Sequence, residues 1–153
     1  LAKKQVIPVL VRALLRGESI AILMDQNTTW KEGVFVDFFG TQACTALAPA
    51  LLALRTDASV LPAAIIRCGR DRHTVIVEKE IPLIRTGRMK ADVIANTASF
   101  TKAIEAFIRR EPDQWLWVHR RWKTQPRAMC QTPSLESGTW HVEPGAARQN
   151  PVQ

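Results

Sequence analysis

Ser19-Ile20-Ala21-Ile22-Leu23-Met24 is the stretch on which the fold turns. It is a short apolar run bounded by polar residues, too short for a typical helix, and it reads as a strand buried between neighbours. Upstream, Val6, Val9, Leu10, Ala13 and Leu14 recur at helical spacing over Gln5–Leu15, Arg16-Gly17 supplies a stop, and Pro8 fits only in the first turn. Downstream, Asp25–Gly40 is polar at first and then carries Val34, Val36, Phe38 and Phe39 between two glycines, so it reads as a structured loop or short extended piece. Thr45 is placed to cap a helix over Ala46–Arg55, with Leu47, Ala50, Leu51 and Leu54 on one face. Val60–Arg67, the turn Gly69–Arg72 and the β-branched His73–Glu78 predict a hairpin. After a loop over Ile81–Arg88, the residues Val93, Thr97, Phe100, Ile104 and Phe107 define a long amphipathic helix ending before Pro112.

The resulting order, helix-strand-helix-strand-strand-helix, predicts an α/β domain whose strand–helix–strand unit crosses over right-handed. Three strands make a small sheet for two large helices, so further strands are expected upstream. Residues 1–126 form the expected domain, and the Pro-, Gly-, Gln- and Ser-rich stretch 127–153 reads as a flexible tail.

A chain of 153 residues with 46% hydrophobic content supports one core. Its longest apolar runs, Ile20–Met24 and Val60–Ile66, fall far short of the roughly 20 apolar residues that a bilayer-crossing helix needs. The chain opens on Leu1-Ala-Lys-Lys without the features of a secretory signal, and reads as an excised piece. Lys and Arg number 21 against 14 Asp and Glu, and the net charge of +7 favours an anionic partner: nucleic acid, anionic lipid or an acidic carrier protein. Cys44, Cys68 and Cys130 are odd in number and widely spaced, which suggests neither a disulfide framework nor a zinc site, and no metal or cofactor is expected. A reducing compartment fits them best.

Several residues have a chemical and a structural reading. Asp25 and Gln26 would lie at the carboxyl edge of a strand, where ligands of open α/β sheets bind, or Asp25 simply caps a loop. Phe38 and Phe39, beside Asp37 and Gly40, line an acyl pocket or plug the core beneath a loop. Cys44 sits near an expected helix N-terminus that would favour a thiolate, but nothing nearby supplies a base, and a small packed residue is the better reading. His73 and Glu78 have the spacing of a His-x4-acid dyad; on a strand, an offset of five puts them on opposite faces and about 17 Å apart, so the match is a decoy. Arg109, Arg110, His119, Arg120, Arg121 and Lys123 interleave with Trp115, Trp117 and Trp122. Such a segment suits an anionic membrane surface, single-stranded nucleic acid, or a solvated basic face whose tryptophans pack inward.

Taken together, Asp25-Gln26, Gly33-Val-Phe-Val-Asp-Phe-Phe-Gly40, Ala43-Cys-Thr45, Pro112-Asp-Gln-Trp-Leu-Trp117 and His119-Arg-Arg-Trp-Lys-Thr-Gln-Pro126 resemble the bacterial lipid A biosynthesis acyltransferases, the lauroyl and myristoyl transferases, in order and spacing. The resemblance runs from about Lys3 to Pro126. Val36-Asp-Phe-Phe-Gly40, with Asp37 where many lipid A enzymes have proline, is also similar to the related phosphatidylinositol mannoside acyltransferases, which makes that acceptor the alternative.

The resemblance implies transfer of a fatty acyl group from an acyl carrier protein or coenzyme A thioester to a glycolipid hydroxyl, at the cytoplasmic face of the bacterial inner membrane. It implies a catalytic base from a His-x4-Asp/Glu motif and a membrane anchor, both upstream of this chain, so no catalytic residue is expected here. By position, the substrate contacts expected in this chain are Asp25 and Gln26 at the sheet edge, Phe38, Phe39 and Gly40 in the loop, Thr45 capping the helix beneath it, and Arg67 at a strand end, reaching a phosphate or thioester oxygen. Trp115, Trp117, His119, Arg120, Arg121 and Lys123 would meet headgroups or the acidic carrier protein. The competing readings are a nucleic-acid-binding module built on the tryptophan–arginine segment and a self-sufficient enzyme using His73 and Glu78.

Overall fold

The computed structural model describes residues 3–126, with side chains from Val6 onward; the tail read over 127–153, and Cys130 with it, lies outside the described residues. Helix α1 (Lys3–Leu15) leads to strands β1 (Gly33–Phe38) and β2 (Thr41–Ala46), helix α2 (Ala48–Thr56), strands β3 (Ala63–Arg67) and β4 (His73–Val77), helix α3 (Met89–Arg110) and a 3-10 turn over Pro112–Gln114. The architecture is mixed α/β with two separate two-stranded antiparallel sheets, β1-β2 and β3-β4. A parallel strand–helix–strand crossover is absent from the described residues.

Ser19–Met24 is the main departure. The run is irregular, pairs with no strand among the described residues, and leaves Leu23 80% exposed. An apolar run becomes a strand only when a neighbour completes its ladder, and composition does not supply that neighbour. Pro8 also lies in the second turn of α1 rather than the first.

The Gly33–Gly40 stretch is more regular than its composition implies. Its first six residues are β1, paired in register from Gly33↔Ala46 to Phe38↔Thr41, so Phe39-Gly40 is a two-residue hairpin loop. Both loop residues have positive φ, 55° and 77°, as the favoured type I′ geometry requires. Phe39 tolerates that conformation because its backbone N–H donates to Glu105 on α3, its ring packs edge-on against Phe38 at 4.8 Å, and Arg109 covers it at 4.7 Å. Gly33 is required at the other end: a Cβ there would meet Cys44 Sγ at 2.8 Å and the Thr45 carbonyl at 2.9 Å.

Thr45 does not cap α2. It is a buried residue of β2, and α2 begins at Ala48 with Leu47 as an N-cap that makes no side-chain capping bond and a proline in the first turn. The β3-β4 hairpin forms where its sequence predicts, with Ala63↔Val77 through Arg67↔His73 in register.

Helix α3 holds the domain together by touching α2 on one side and β1 and β2 on the other. One core cluster joins Ala50, Leu51 and Leu54 of α2 to Val93 and Phe100, with Met24, Val60 and Leu83 packed around it. A second joins Phe38 and Ala43 to Ile108, with Trp115 and Trp122 against it. The buried polar residues of α3 tie down the loop before it. Asn96 accepts from Ile84 N–H at 2.9 Å and donates to its carbonyl at 2.8 Å, while Asp92 accepts from the Thr86 hydroxyl at 2.6 Å and its N–H at 3.0 Å. The Thr86 hydroxyl, with the Thr86 and Gly87 N–H groups and Arg88, holds the Asp92 carboxyl below its ordinary range against the opposing effect of burial.

Candidate functional site

Between α2, α3, β3 and the irregular segment 17–25 lies an open cavity of about 670 Å³, in the range of small-molecule clefts. Its walls are mainly apolar, with Leu52, Val60, Ile66, Phe100, Ile104 and Phe107 among them, and Asp25 and Trp115 contribute polar atoms. Asp25 is half-buried and accepts from the Trp115 indole N–H at 3.3 Å. Gln26 beside it is exposed.

Within electrostatic reach of Asp25 lies a buried polar group centred on Arg121. Arg121, 1% exposed, donates to the Cys44 carbonyl at 2.9 Å and to Thr45 Oγ1 at 2.5 Å, and its guanidinium stacks 4.9 Å above the Phe38 ring. Burial lowers the Arg121 pKa, and the neighbouring Asp25 and Cys44, in that order, oppose the shift. An arginine remains cationic under such conditions, so a fixed positive charge sits behind Asp25. The Arg121 Nε and Trp122 Nε1 hydrogens find no acceptor among the described residues.

The 115–124 segment is fastened to residues 27 and 28 by bonds between distant parts of the sequence. The Asn27 N–H donates to His119 Nε2 at 2.8 Å. Asn27 and Thr124 then bond reciprocally, Nδ2 to Oγ1 at 3.0 Å and Thr124 N–H to Oδ1 at 3.2 Å, while the Thr124 hydroxyl donates to the Thr28 carbonyl at 2.9 Å. Neither Asn27 nor Thr124 figured among the expected site residues, because each is an ordinary polar residue until the chain brings them together.

The expected contacts thus separate. Phe38 is fully buried as a core plug, 5.6 Å from both Trp115 and Trp122, and Phe39 and Gly40 form the hairpin tip. Arg67 is exposed, and its backbone is clamped to Gln114 by bonds of 2.7 and 3.2 Å. Of the residues expected at headgroups or a carrier, Arg121 is instead interior, because two acceptors and an aromatic face take up its guanidinium, and His119 is half-buried with Nε2 turned to Asn27. Trp115 is half-buried against Phe38, whereas Trp117, Arg120 and Lys123 are exposed.

The His73–Glu78 pair is split. His73 stands exposed opposite Arg67, while Glu78 is bound by Arg110 at 2.7 Å. Cys44 is buried in β2, with Sγ 3.6 Å from the Thr29 carbonyl, and is not at a helix N-terminus. No group of three or more His, Cys, Asp or Glu among the described residues is placed to hold a metal ion.

Comparison with known proteins shows which family the sequence resembles. The chain is 29% identical over 119 residues to the lipid A biosynthesis palmitoleoyltransferase of Escherichia coli (strain K12), covering 76% of this chain and 37% of that protein. It is 28% identical over 125 residues to the lipid A biosynthesis lauroyltransferase of the same organism, covering 78% and 39%. It is 30% identical over 128 residues to a lipid A biosynthesis acyltransferase of Haemophilus influenzae, covering 82% and 40%. The chain therefore spans well under half the length of these relatives. Residues 1–124 match the profile of one family along most of the chain, and on that match the chain belongs to the bacterial lipid A biosynthesis acyltransferases.

Proposed function

We propose that this chain is part of an enzyme that transfers a fatty acyl group from an acyl carrier protein or coenzyme A thioester to a hydroxyl of a lipid A-type glycolipid, at the cytoplasmic face of the bacterial inner membrane. In that reaction the acceptor oxygen attacks the thioester carbonyl, the carbon–sulfur bond breaks, and a base removes the hydroxyl proton. The base belongs to a His-x4-Asp/Glu motif outside this chain, which makes the chain a part that is inactive alone. Its own contribution is a wall for the acyl chain, with Asp25 and Gln26 toward the acceptor and Arg67 toward a phosphate or thioester oxygen.

The observation that carries this reading is the apolar cavity with the half-buried Asp25 in its lining. Asp25, Glu18 and Glu111 bring carboxylates to its lining, and Asp25, which accepts from the Trp115 indole, is the one set to orient a hydroxyl beside a surface for an alkyl chain, the mixture expected of a lipid-acceptor site. The exposed Leu23, Leu61 and Ile65 mark the open side, where the remaining part of the domain would close it. Asp37 does not favour the phosphatidylinositol mannoside alternative, since it accepts from Gly40 N–H at 3.2 Å and so serves the hairpin turn. The nucleic-acid reading is weakened by the inward packing of Trp115 and Trp122.

The test is acyl transfer by the complete gene product with donors of graded chain length. Ile104→Trp should narrow the cavity and move the preference to shorter donors, and Asp25→Asn should lower kcat by about 10²-fold or more, within the range for a group that directs proton transfer. An unchanged chain-length profile together with an unchanged kcat would remove this cavity from the reaction.

A further inference from the structure

The tip of the 115–124 segment is unusual for a rigid surface loop. Leu116, Trp117 and Val118 are consecutive large apolar residues, 66%, 53% and 82% exposed. They are held outward by fixed contacts. The Trp117 indole donates to the Pro112 carbonyl at 2.5 Å, Trp117 N–H to the Trp115 carbonyl at 2.9 Å, and His119 N–H to the Leu116 carbonyl at 3.0 Å. On either side, Trp115 is tied to Asp25 and His119 to Asn27. The apolar trio is therefore presented by the fold, and presenting it to water is unfavourable unless something covers it.

Its surroundings indicate what covers it. The exposed Arg120 and Lys123 follow directly. Arg109, with a side chain 63% exposed, lies over the Phe39 ring, which in turn packs 6.4 Å from Trp117. Of the five Arg and Lys from Arg109 to Lys123, Arg121 is buried, Arg110 pairs with Glu78 at 2.7 Å and Arg109 lies 3.6 Å from Glu105, so the exposed Arg120 and Lys123, with the outer edge of Arg109, are the cations that flank the tip. A protruding apolar tip beside cations is complementary to a bilayer interface, where a tryptophan keeps its ring in the headgroup layer and cations meet lipid phosphates. A protein partner would need a groove shaped to receive the tip, whereas the acyl-chain boundary receives any wedge.

We infer that Leu116-Trp117-Val118 is a membrane-inserting wedge that seats this domain on anionic phospholipid, with Arg120, Lys123 and Arg109 reading the headgroups. This rests on the acyl-transfer reading only in giving the domain a bilayer-borne substrate to reach. Trp115, His119 and Arg121 act behind the wedge as its framework and do not touch lipid.

The experiment uses the 153-residue chain and phosphatidylcholine vesicles with and without phosphatidylglycerol. Cosedimentation should show binding that prefers the anionic vesicles. Leu116→Ser/Trp117→Ser/Val118→Ser should weaken it by about tenfold or more. Arg120→Gln/Lys123→Gln should remove most of the preference for anionic lipid. Near-UV circular dichroism checks that each variant is folded. Trp117→Phe supplies a second readout, since it should keep vesicle binding while losing most of the tryptophan quenching by lipids with brominated acyl chains. Binding by the triple variant equal to that of the parent overturns the wedge, as does undiminished quenching in Trp117→Phe. Failure to bind vesicles overturns it too, whether or not the chain binds an acyl carrier protein or an oligonucleotide. No thioester enters these measurements, so they stand or fall separately from acyl transfer.

Discussion

At the residue scale, Arg121 shows how far position in the sequence can mislead about environment. It sits between Arg120 and Lys123 in a basic run, yet it is the largest of the fully buried side chains among the described residues. Two hydrogen bonds and the Phe38 ring offset part of its desolvation, with Nε left without an acceptor among the described residues, and a charged donor makes those bonds stronger than neutral ones. Arg121→Ala should therefore lower stability by about 2–4 kcal/mol, and Thr45→Val, which removes one acceptor, by about 1–2 kcal/mol. Urea unfolding of both single variants and the double variant should give a less than additive sum. Strict additivity would mean that the Arg121–Thr45 contact carries no coupling. Thr45 read as a helix cap would predict no link to Arg121 at all.

At the scale of elements, the loop before α3 is held by side chains of the helix it leads into. Asp92 accepts both Thr86 donors, and its carboxyl is held below the ordinary range, chiefly by the Thr86 hydroxyl. A carboxyl whose folded pKa is depressed contributes stability that is fully present above its unfolded value of about 3.9, and that is lost as pH falls through the folded value. Stability measured from neutrality down through pH 4 and below should thus fall less steeply in Asp92→Asn than in the parent. Identical slopes would show that the Thr86 bonds contribute equally in both protonation states. The β1-β2 hairpin illustrates the opposite difficulty. Its loop is Phe39-Gly40 rather than the Asn-Gly pair that signals a type I′ turn, and Glu105 and Arg109, on a helix far along the chain, make it workable.

At the scale of the whole molecule, one side is closed around Phe38 except for its protruding 116–118 tip, and the other is open. The 115–124 segment, β1-β2 and the second half of α3 close around Phe38, while Leu23, Leu61, Ile65, Val75 and Val77 stay exposed near the cavity and on the β3-β4 hairpin. Two-stranded sheets with such faces depend on further packing for stability. The chain should accordingly bind an apolar dye and self-associate as its concentration rises, and Leu23→Lys/Ile65→Lys should reduce both. Dye fluorescence and sedimentation equilibrium measure this; a monomeric parent with little dye bound would mean that the open face is not sticky. No helix among the described residues is long and apolar enough to cross a membrane.

Three helices, the β3-β4 hairpin and the family are legible along the chain alone. Helical periodicity, turn residues and the ordered set of motifs are local properties, readable within a few residues at a time. Packing alone settles that Ser19–Met24 lacks a ladder among the described residues, that Thr45 serves Arg121 rather than α2, and that Asn27 and Thr124 form a clasp. Each of these depends on partners distant in the chain, 76 residues apart for Thr45 and Arg121 and 97 for the clasp. A hydrogen bond at such separation leaves no periodic trace, because its geometry exists only after the helices and hairpins have packed.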